Sequence, residues 1–530
     1  MKGFRRFFAF GRHTVSHATA LLAVTALLSN VLGLARNLIF YRLIPPGQLD
    51  VYFASFRISD LIFNLLLFGA ITSALIPVLS QLAGEEDDQA FKLTDGLLTW
   101  VVGTLIVLGF VLAFLMPALT HLLVPHFDSE RFALTLKLNR LMLLQPIFFA
   151  ASFIVGALLN GMRRFSSYAL APLVYNASLI VGGFLASRYG VVAITYCVLA
   201  GSILHFAIQY REAVLTGYRA RFAPELTPKL KEVFRLMLPR NLAQGFAQLV
   251  PSIYISLASG LPLGSIAVYS GLNDIQTTPT VVIANSLATA AFPALAASVS
   301  RNDPERLNVL LTKMFRTSLF VLIPTVCMAL ILRAQLVRLY VGIGHANWGL
   351  TDVAIGTFAW FMVGVIPASI VILLARVFYA HHDSKTPLLI SVVGGFVAIL
   401  IAVVGIKGLH GSVQWLAIAE TGSSTVQCVL YASILYARRY IHVPMALIGR
   451  YTLHYLAGSA LLLWLTWSTL QGVDTLYAKT GWLSTNKIIG LLLQTSIAAL
   501  LGGLAYFGYS MVTTKEELGW LRRRSFMNDR

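Results

Sequence analysis

The chain has 530 residues, 57% hydrophobic and only 12% charged, with a formal net charge of +18 and a mean hydropathy of +0.76. So small a charged fraction cannot coat the surface of a soluble protein of this length. Continuous apolar runs of about 20 residues, each able to cross a hydrocarbon core of about 30 Å, replace the alternation that a β-barrel requires.

In chain order, spans are predicted near 19–44, 58–83, 97–124, 138–160, 168–186 and 191–210, then near 237–259, 267–298, 317–337, 354–380, 387–405 and 414–437, and finally near 451–472 and 488–511. The expected fold is therefore an all-α polytopic membrane protein with about fourteen transmembrane helices. Lys and Arg crowd the even-numbered connections and the two ends, which places both termini in the cytoplasm by the positive-inside rule. That asymmetry accounts for the basicity, and no nucleic-acid partner is expected. The opening "MKGFRRFFAFGR" resembles the charged start of a signal peptide. The apolar stretch after it is too long and lacks a small-residue cleavage site, so it reads as an uncleaved first helix.

Cys197, Cys327 and Cys428 lie far apart within spans, which suggests neither a disulfide framework nor a zinc site. There is no HExxH, GxSxG, CxxC or Walker loop. The reading is that the protein is not an enzyme and carries no metal or cofactor.

Two internal similarities share an offset of about 220 residues. "TSALIPVLSQLAGEEDDQAF" (72–91) resembles "ATAAFPALAASVSRNDPERL" (288–307), and "ALLNGMRRFSSY" (157–168) resembles "VFYAHHDSKTPL" (377–388). That offset spans six helices, an even number, so the halves enter the membrane in the same direction as a parallel repeat. The expected organisation is an N-terminal six-helix lobe at 1–210, a basic cytoplasmic connector at 211–236 and a second six-helix lobe at 237–437. Helices 13 and 14, with a basic tail, fill 438–530.

Charges inside the spans stand out, because Arg or Asp at a helix centre costs about 2.5–3.5 kcal/mol to insert. The basic ones are all arginine: Arg36, Arg42, Arg57, Arg140, Arg240 and Arg376. Arginine's planar fork suits phosphate and carboxylate. The acids are Asp60, Asp274 and Glu420. Arg42 reads best as snorkelling to the headgroups. Arg140 and Arg376 read as interfacial anchors and Glu420 as a helix–helix hydrogen-bonding device, while Arg57 either snorkels like Arg42, pairs with Asp60 three residues on, or faces a cavity. Arg36 lies deep in helix 1 with no acid near it on its own helix. Arg36, Asp274 and Arg240 are the candidates for lining a cavity. Helix 8, "SGLNDIQTTPTVVIANS", is too polar to face lipid, so helices 1, 2, 7 and 8 are the expected cavity wall.

Several segments resemble the MviN/MurJ family of lipid II flippases, within the wider group of multidrug and polysaccharide exporters. They are "VLGLARN", "DVYFASFRISDL", "LTLKLNRLMLLQPIFFAASFIVGALLNGMRRFSSYALAPLVYNASLI" and "ARVFYAHHDSKTP". Matched positions include Asp50, Arg140, Asn160 and Asp383. The resemblance implies arginines from helices 1, 2 and 8 that hold a pyrophosphate. Arg36 matches one of them, whereas Asn30, Phe63, Asn64 and Asp274 stand where the family has the others. Either Arg57 and Arg240 restore the charge, or the substrate differs from lipid II.

The expected substrate-binding set is Arg36, Arg57, Arg240, Asn30, Asp60 and Asp274. The function expected from it is transport of a polyprenyl-pyrophosphate-linked sugar across the bacterial cytoplasmic membrane by alternating access, driven by membrane potential or an ion gradient. The partners are that lipid-linked anionic sugar, membrane lipids and cell-wall synthesis proteins. A related polysaccharide-lipid exporter, a cation or drug exporter using Asp60, Asp274 and Glu420, and a non-transporting scaffold are the alternatives. The resemblance also implies that helices 13 and 14 form a groove for the polyprenyl tail, with small residues such as Gly458, Ala499 and Gly503 along it.

Overall fold

In the computed structural model the residues described are 15–65, 75–82, 87–235, 248–342, 348–442, 445–480, 487–514, 517 and 519. Arg240, one of the expected cavity arginines, lies outside them. Ten helices among the described residues are long and apolar enough to cross a membrane. Gln414–Ala437 and Met445–Thr480 are also of spanning length. Two more, starting at Pro46 and ending at Ala258, are described in part. These positions coincide with the fourteen predicted ones.

The helices run longer than the apolar runs that announce them. α1 is Val15–Leu43, and α2 starts at Pro46, well before the apolar part of helix 2, and continues to Phe63. After α3 (Ile76–Leu82), the third span begins on polar residues as α4 (Asp87–Leu97) and passes through a π turn, Leu98–Val102, into α5 (Gly103–Leu123). The fourth begins as α6 (Ser129–Met142), capped by Asp128, whose carboxylate accepts the Arg131 N–H, and breaks at Leu143–Leu144 before α7 (Gln145–Gly161). Apolarity sets how much of a helix the bilayer covers, while caps and turns set where it starts.

The chain divides into two units, residues 1–267 and 268–530. The first continues with α8 (Ser166–Tyr189), α9 (Val191–Leu215) and α10 (Leu249–Ala258). Its core includes Leu79, Leu97, Met116, Leu158 and Tyr218. The sequence-based boundaries place the connector apart from the lobes and helix 7 in the second; by its packing the connector clings to helix 3. Tyr218 donates its hydroxyl to Asp95 at 2.7 Å, Arg221 N–H donates to the same carboxylate at 3.0 Å, and Trp100 Nε1 donates to the Pro224 carbonyl at 3.1 Å. Leu230 and Val233 bury the apolar face of the short helix that follows.

In the second unit, α11 (Ser265–Pro279), which crosses the boundary, leads through a π turn, Thr280–Asn285, into α12 (Ser286–Ser300). Then come α13 (Pro304–Ile331), α14 (Arg333–Tyr340), α15 (Trp348–Ala380), α16 (Lys385–Val403), which ends in a π turn at Val404–Gly408, and α17 (Gln414–Ala437). The two units repeat one plan. Three left-handed positions of the first unit, Arg163, Gly190 and Gly217, recur in the second as His382, His410 and Arg439, 219 to 222 residues later, while Gly264 and Asn302 fall outside these pairs. Each paired residue terminates the same helix of its own lobe.

α18 (Met445–Thr480) and α19 (Lys487–Thr513) lie outside the repeat and pack on each other and on α13. Leu319, Phe320 and Ile323 meet Tyr455, Leu462 and Tyr506 in a core of their own. This corrects the expected groove at Gly458. A Cβ there would sit 2.6 Å from Tyr509 Cδ1 and 3.1 Å from Tyr506 Cε2, so the glycine serves close helix contact. A Cβ at Gly503 would meet nothing within 4 Å. Gly458→Trp is therefore expected to lower thermal stability by at least about 3 kcal/mol, the upper range of overpacking. Gly503→Trp should melt like the parent in detergent. Equal melting of the two would contradict this packing.

Candidate functional site

Arg36 sits on a helix with no carboxylate partner among the described residues. Its Nε donates to Asn37 Oδ1 at 3.0 Å and its Nη1 to Asn176 Oδ1 at 3.3 Å. Both acceptors are neutral amides. They orient the guanidinium without cancelling its charge, and two contacts leave most of its five N–H donors for a ligand. Asn176 is itself fixed, donating to Ser29 Oγ at 3.0 Å and to the Pro172 carbonyl at 3.2 Å.

A chain of hydrogen bonds extends this arrangement within the first unit. Tyr175, next to Asn176 on α8, lies in the electrostatic field of both Arg36 and Asp60. Its hydroxyl accepts from Gln145 Nε2 at 3.1 Å, and Gln145 Oε1 accepts from Ser59 Oγ at 3.0 Å. Helices α1, α2, α7 and α8 thus converge on one polar band in an apolar body. Arg36 supplies its cation and Asp60 its acid.

The expected residues fall into three groups. Arg36 and Asp60 both act electrostatically on Tyr175, without forming an ion pair with each other. Asn30 is exposed and off the band; Ser29 takes its place, because seven residues make nearly two full turns and put Ser29, not Asn30, on the Arg36 face. Asp274 belongs to the second unit and is exposed, with its backbone carbonyl accepting from Thr277 and Thr278.

Arg57 is a clamp. Its Nη2 donates to both the backbone carbonyl and Oε1 of Gln248 at 2.6 Å, and its Nε donates to Ser252 Oγ at 3.0 Å, tying α2 to α10. Asp50, two turns earlier on the same face, is buried and accepts the Gly264 and Ala267 N–H groups at 2.6 and 2.9 Å. Burial pushes the Asp50 carboxyl up to about 7, against the downward pull of those two donors. The Asp50–Arg57 seam holds residues 248–267 in the first unit.

Asp383 has a similar duty in the second unit. It caps α16, accepting the Thr386 N–H at 3.0 Å, the Thr386 hydroxyl at 2.6 Å and Arg438 Nη1 at 2.6 Å. The two Thr386 contacts, aided by Arg438, hold its carboxyl down at about 2. Asn160 closes the equivalent turn of the first lobe through its carbonyl, which accepts the Arg163 N–H. Arg42 and Arg140 are exposed, with no partner among the described residues. Arg376 donates to Asn285 Oδ1 at 3.1 Å.

Sequence reasoning missed Asn37, Gln145, Tyr175 and Asn176. The available signal was the Tyr-Asn pair inside the apolar run "APLVYNASLI" and the glutamine in "LLQP". Where the helix 2 arginines were expected, Phe63 packs on Phe149 and Phe153 at 5.8 and 5.5 Å, and Asn64 bonds back to the Asp60 carbonyl.

A model of the lipid II flippase MurJ family matches residues 47–485. A probable lipid II flippase MurJ of Bdellovibrio bacteriovorus is 26% identical, over 97% of this chain and 98% of that one. A lipid II flippase MurJ of Burkholderia cenocepacia is also 26% identical, over 70% of this chain and 75% of that one. Among solved structures, a lipid II flippase MurJ in an inward closed conformation superposes with a TM-score of 0.75 at 20% identity, covering 94% of this chain and 100% of that one. An inward-facing multidrug resistance MATE transporter superposes at 0.64 with 15% identity, covering 81% and 98%.

Proposed function

Because the chain belongs to the lipid II flippase MurJ family, we propose that its polar band holds the pyrophosphate of lipid II while the lipid-linked sugar crosses the inner membrane. The carrying observation is Arg36, oriented by Asn37 and Asn176 through neutral oxygens and left with its charge. An anionic headgroup cannot enter hydrocarbon unaided. Charge-assisted hydrogen bonds from a fixed guanidinium replace its water. Tyr175, held in place by the buried Gln145, adds a neutral group for the sugar, and Asp60 limits the net positive charge so that release stays feasible.

No bond is made or broken, so this is transport and not enzymatic catalysis. Affinity must differ between inward- and outward-open states for movement to have a direction, and a membrane potential or ion gradient supplies the drive. In this reading most of the family's arginine cluster is replaced by one well-oriented arginine. Translocation of lipid II in proteoliposomes made from the purified chain, compared with Arg36→Ala, is the direct test. No lipid II movement above empty liposomes would end the proposal.

Both termini are proposed to be cytoplasmic, from the distribution of Lys and Arg. Reporter fusions at Thr227 and Asn302 should read cytoplasmic and one at Asn347 extracytoplasmic. The opposite pattern would reverse the orientation.

A further inference from the structure

Glu212, in the last turn of α9, takes no part in the polar band, and it is only 1% exposed. Its Oε2 accepts the Ser167 N–H at 3.0 Å, while Oε1 is buried with no hydrogen-bond partner among the described residues. Buried acceptors are rarely left alone, and a carboxylate oxygen least of all. Glu212 also lines a cavity of about 150 Å³ together with Arg211, Leu170, Val174, Ile208 and Leu215. Arg211 is exposed and Leu215 is 62% exposed, so the cavity opens on the outside of the unit. Ser167 is in the first turn of α8 and Glu212 in the last of α9. The site therefore lies at one end of both spans, where acyl chains give way to headgroups.

We propose that this cavity binds phosphatidylethanolamine. An occupant must offer three things at once: an apolar chain for Leu170, Val174, Ile208 and Leu215, an anion for Arg211, and an N–H donor for Glu212. A phosphoethanolamine headgroup carries a phosphate and a primary ammonium two carbons apart, matching adjacent residues of opposite charge. Phosphatidylcholine has the same charges, but its quaternary ammonium has no N–H and is too bulky for a buried oxygen. Phosphatidylglycerol satisfies Arg211 but leaves the Glu212 charge without a countercharge. The selective element is Glu212 and the general one is Arg211.

Native mass spectrometry of the full chain in detergent, with chain-matched phosphatidylethanolamine, phosphatidylcholine and phosphatidylglycerol, reads the preference directly. Phosphatidylethanolamine should be retained about tenfold better than either of the others, the effect of one charge-assisted hydrogen bond. Glu212→Gln keeps an acceptor for Ser167 and should reduce that preference to near parity. Leu170→Trp fills the cavity and should lower retention of all three lipids, which keeps the site testable should Glu212→Gln fail to fold. Equal retention of the lipids by the parent chain, or a preference that survives both substitutions, would overturn the assignment. The readout is lipid retention, so it does not depend on translocation.

Discussion

Arg36→Ala is expected to abolish lipid II translocation, by at least about a hundredfold, while leaving membrane insertion and melting temperature close to the parent. The magnitude follows from the donors lost: each charge-assisted hydrogen bond to a phosphate is worth about 1.5–3 kcal/mol, and the fork can present two. Insertion should survive because the partners left behind, Asn37 and Asn176, are neutral, and Asn176 keeps its bonds to Ser29 and Pro172. Arg36→Lys keeps the charge but not the planar fork, so it should fall between, with about a tenfold loss. Arg42→Ala, at an exposed position on the same helix, should stay within about twofold of the parent, as expected for a snorkelling side chain. Comparable loss at Arg36 and Arg42 in a proteoliposome assay would remove Arg36 from the site.

The second large effect is on stability. Asp50→Ala strips two buried backbone N–H groups, of Gly264 and Ala267, of their acceptor. At about 1–3 kcal/mol for each orphaned donor, the first unit should lose about 2–6 kcal/mol. Asp50→Asn keeps one acceptor and should lose less. The pH dependence has a definite sign. The folded carboxyl titrates near 7, above its ordinary value of 3.8. Between those values the folded chain therefore binds more protons than the unfolded one. Stability from this group falls as pH rises from about 4 to 7 and is level above that. The melting temperature of the parent in detergent should accordingly drop relative to Asp50→Asn over that window. A rise would mean that the two amide donors, and not burial, govern the carboxyl.

Much of the fold was legible because a bilayer imposes a length and an apolarity that sequence displays directly. The fourteen positions and the six-helix offset needed no tertiary information. Arg36 was legible for the same reason, being an isolated charge where charge is costly. Its partners were not, because Asn176 lies 140 positions away and an asparagine in a helix carries no sign of what it faces. Arg57 shows the converse limit. Next to a span it looks like Arg36, and only the distances to Gln248 and Ser252 reveal that most of its donors are already engaged. Asp50 and Asp383 match the family's pattern, yet each holds a helix start in place. A matched residue can preserve architecture as readily as ligand contact.

The paired left-handed turns bear on ancestry. Two of the three in the first lobe are glycines, the residue for which that conformation is free of strain, whereas the second lobe has His382, His410 and Arg439. Side chains at these bends have diverged while the bends themselves stayed in register. Descent from a common half-length ancestor is thus recorded in torsion angles more durably than in letters. A comparison of the halves by dihedral angle would recover a kinship that residue identity has largely erased.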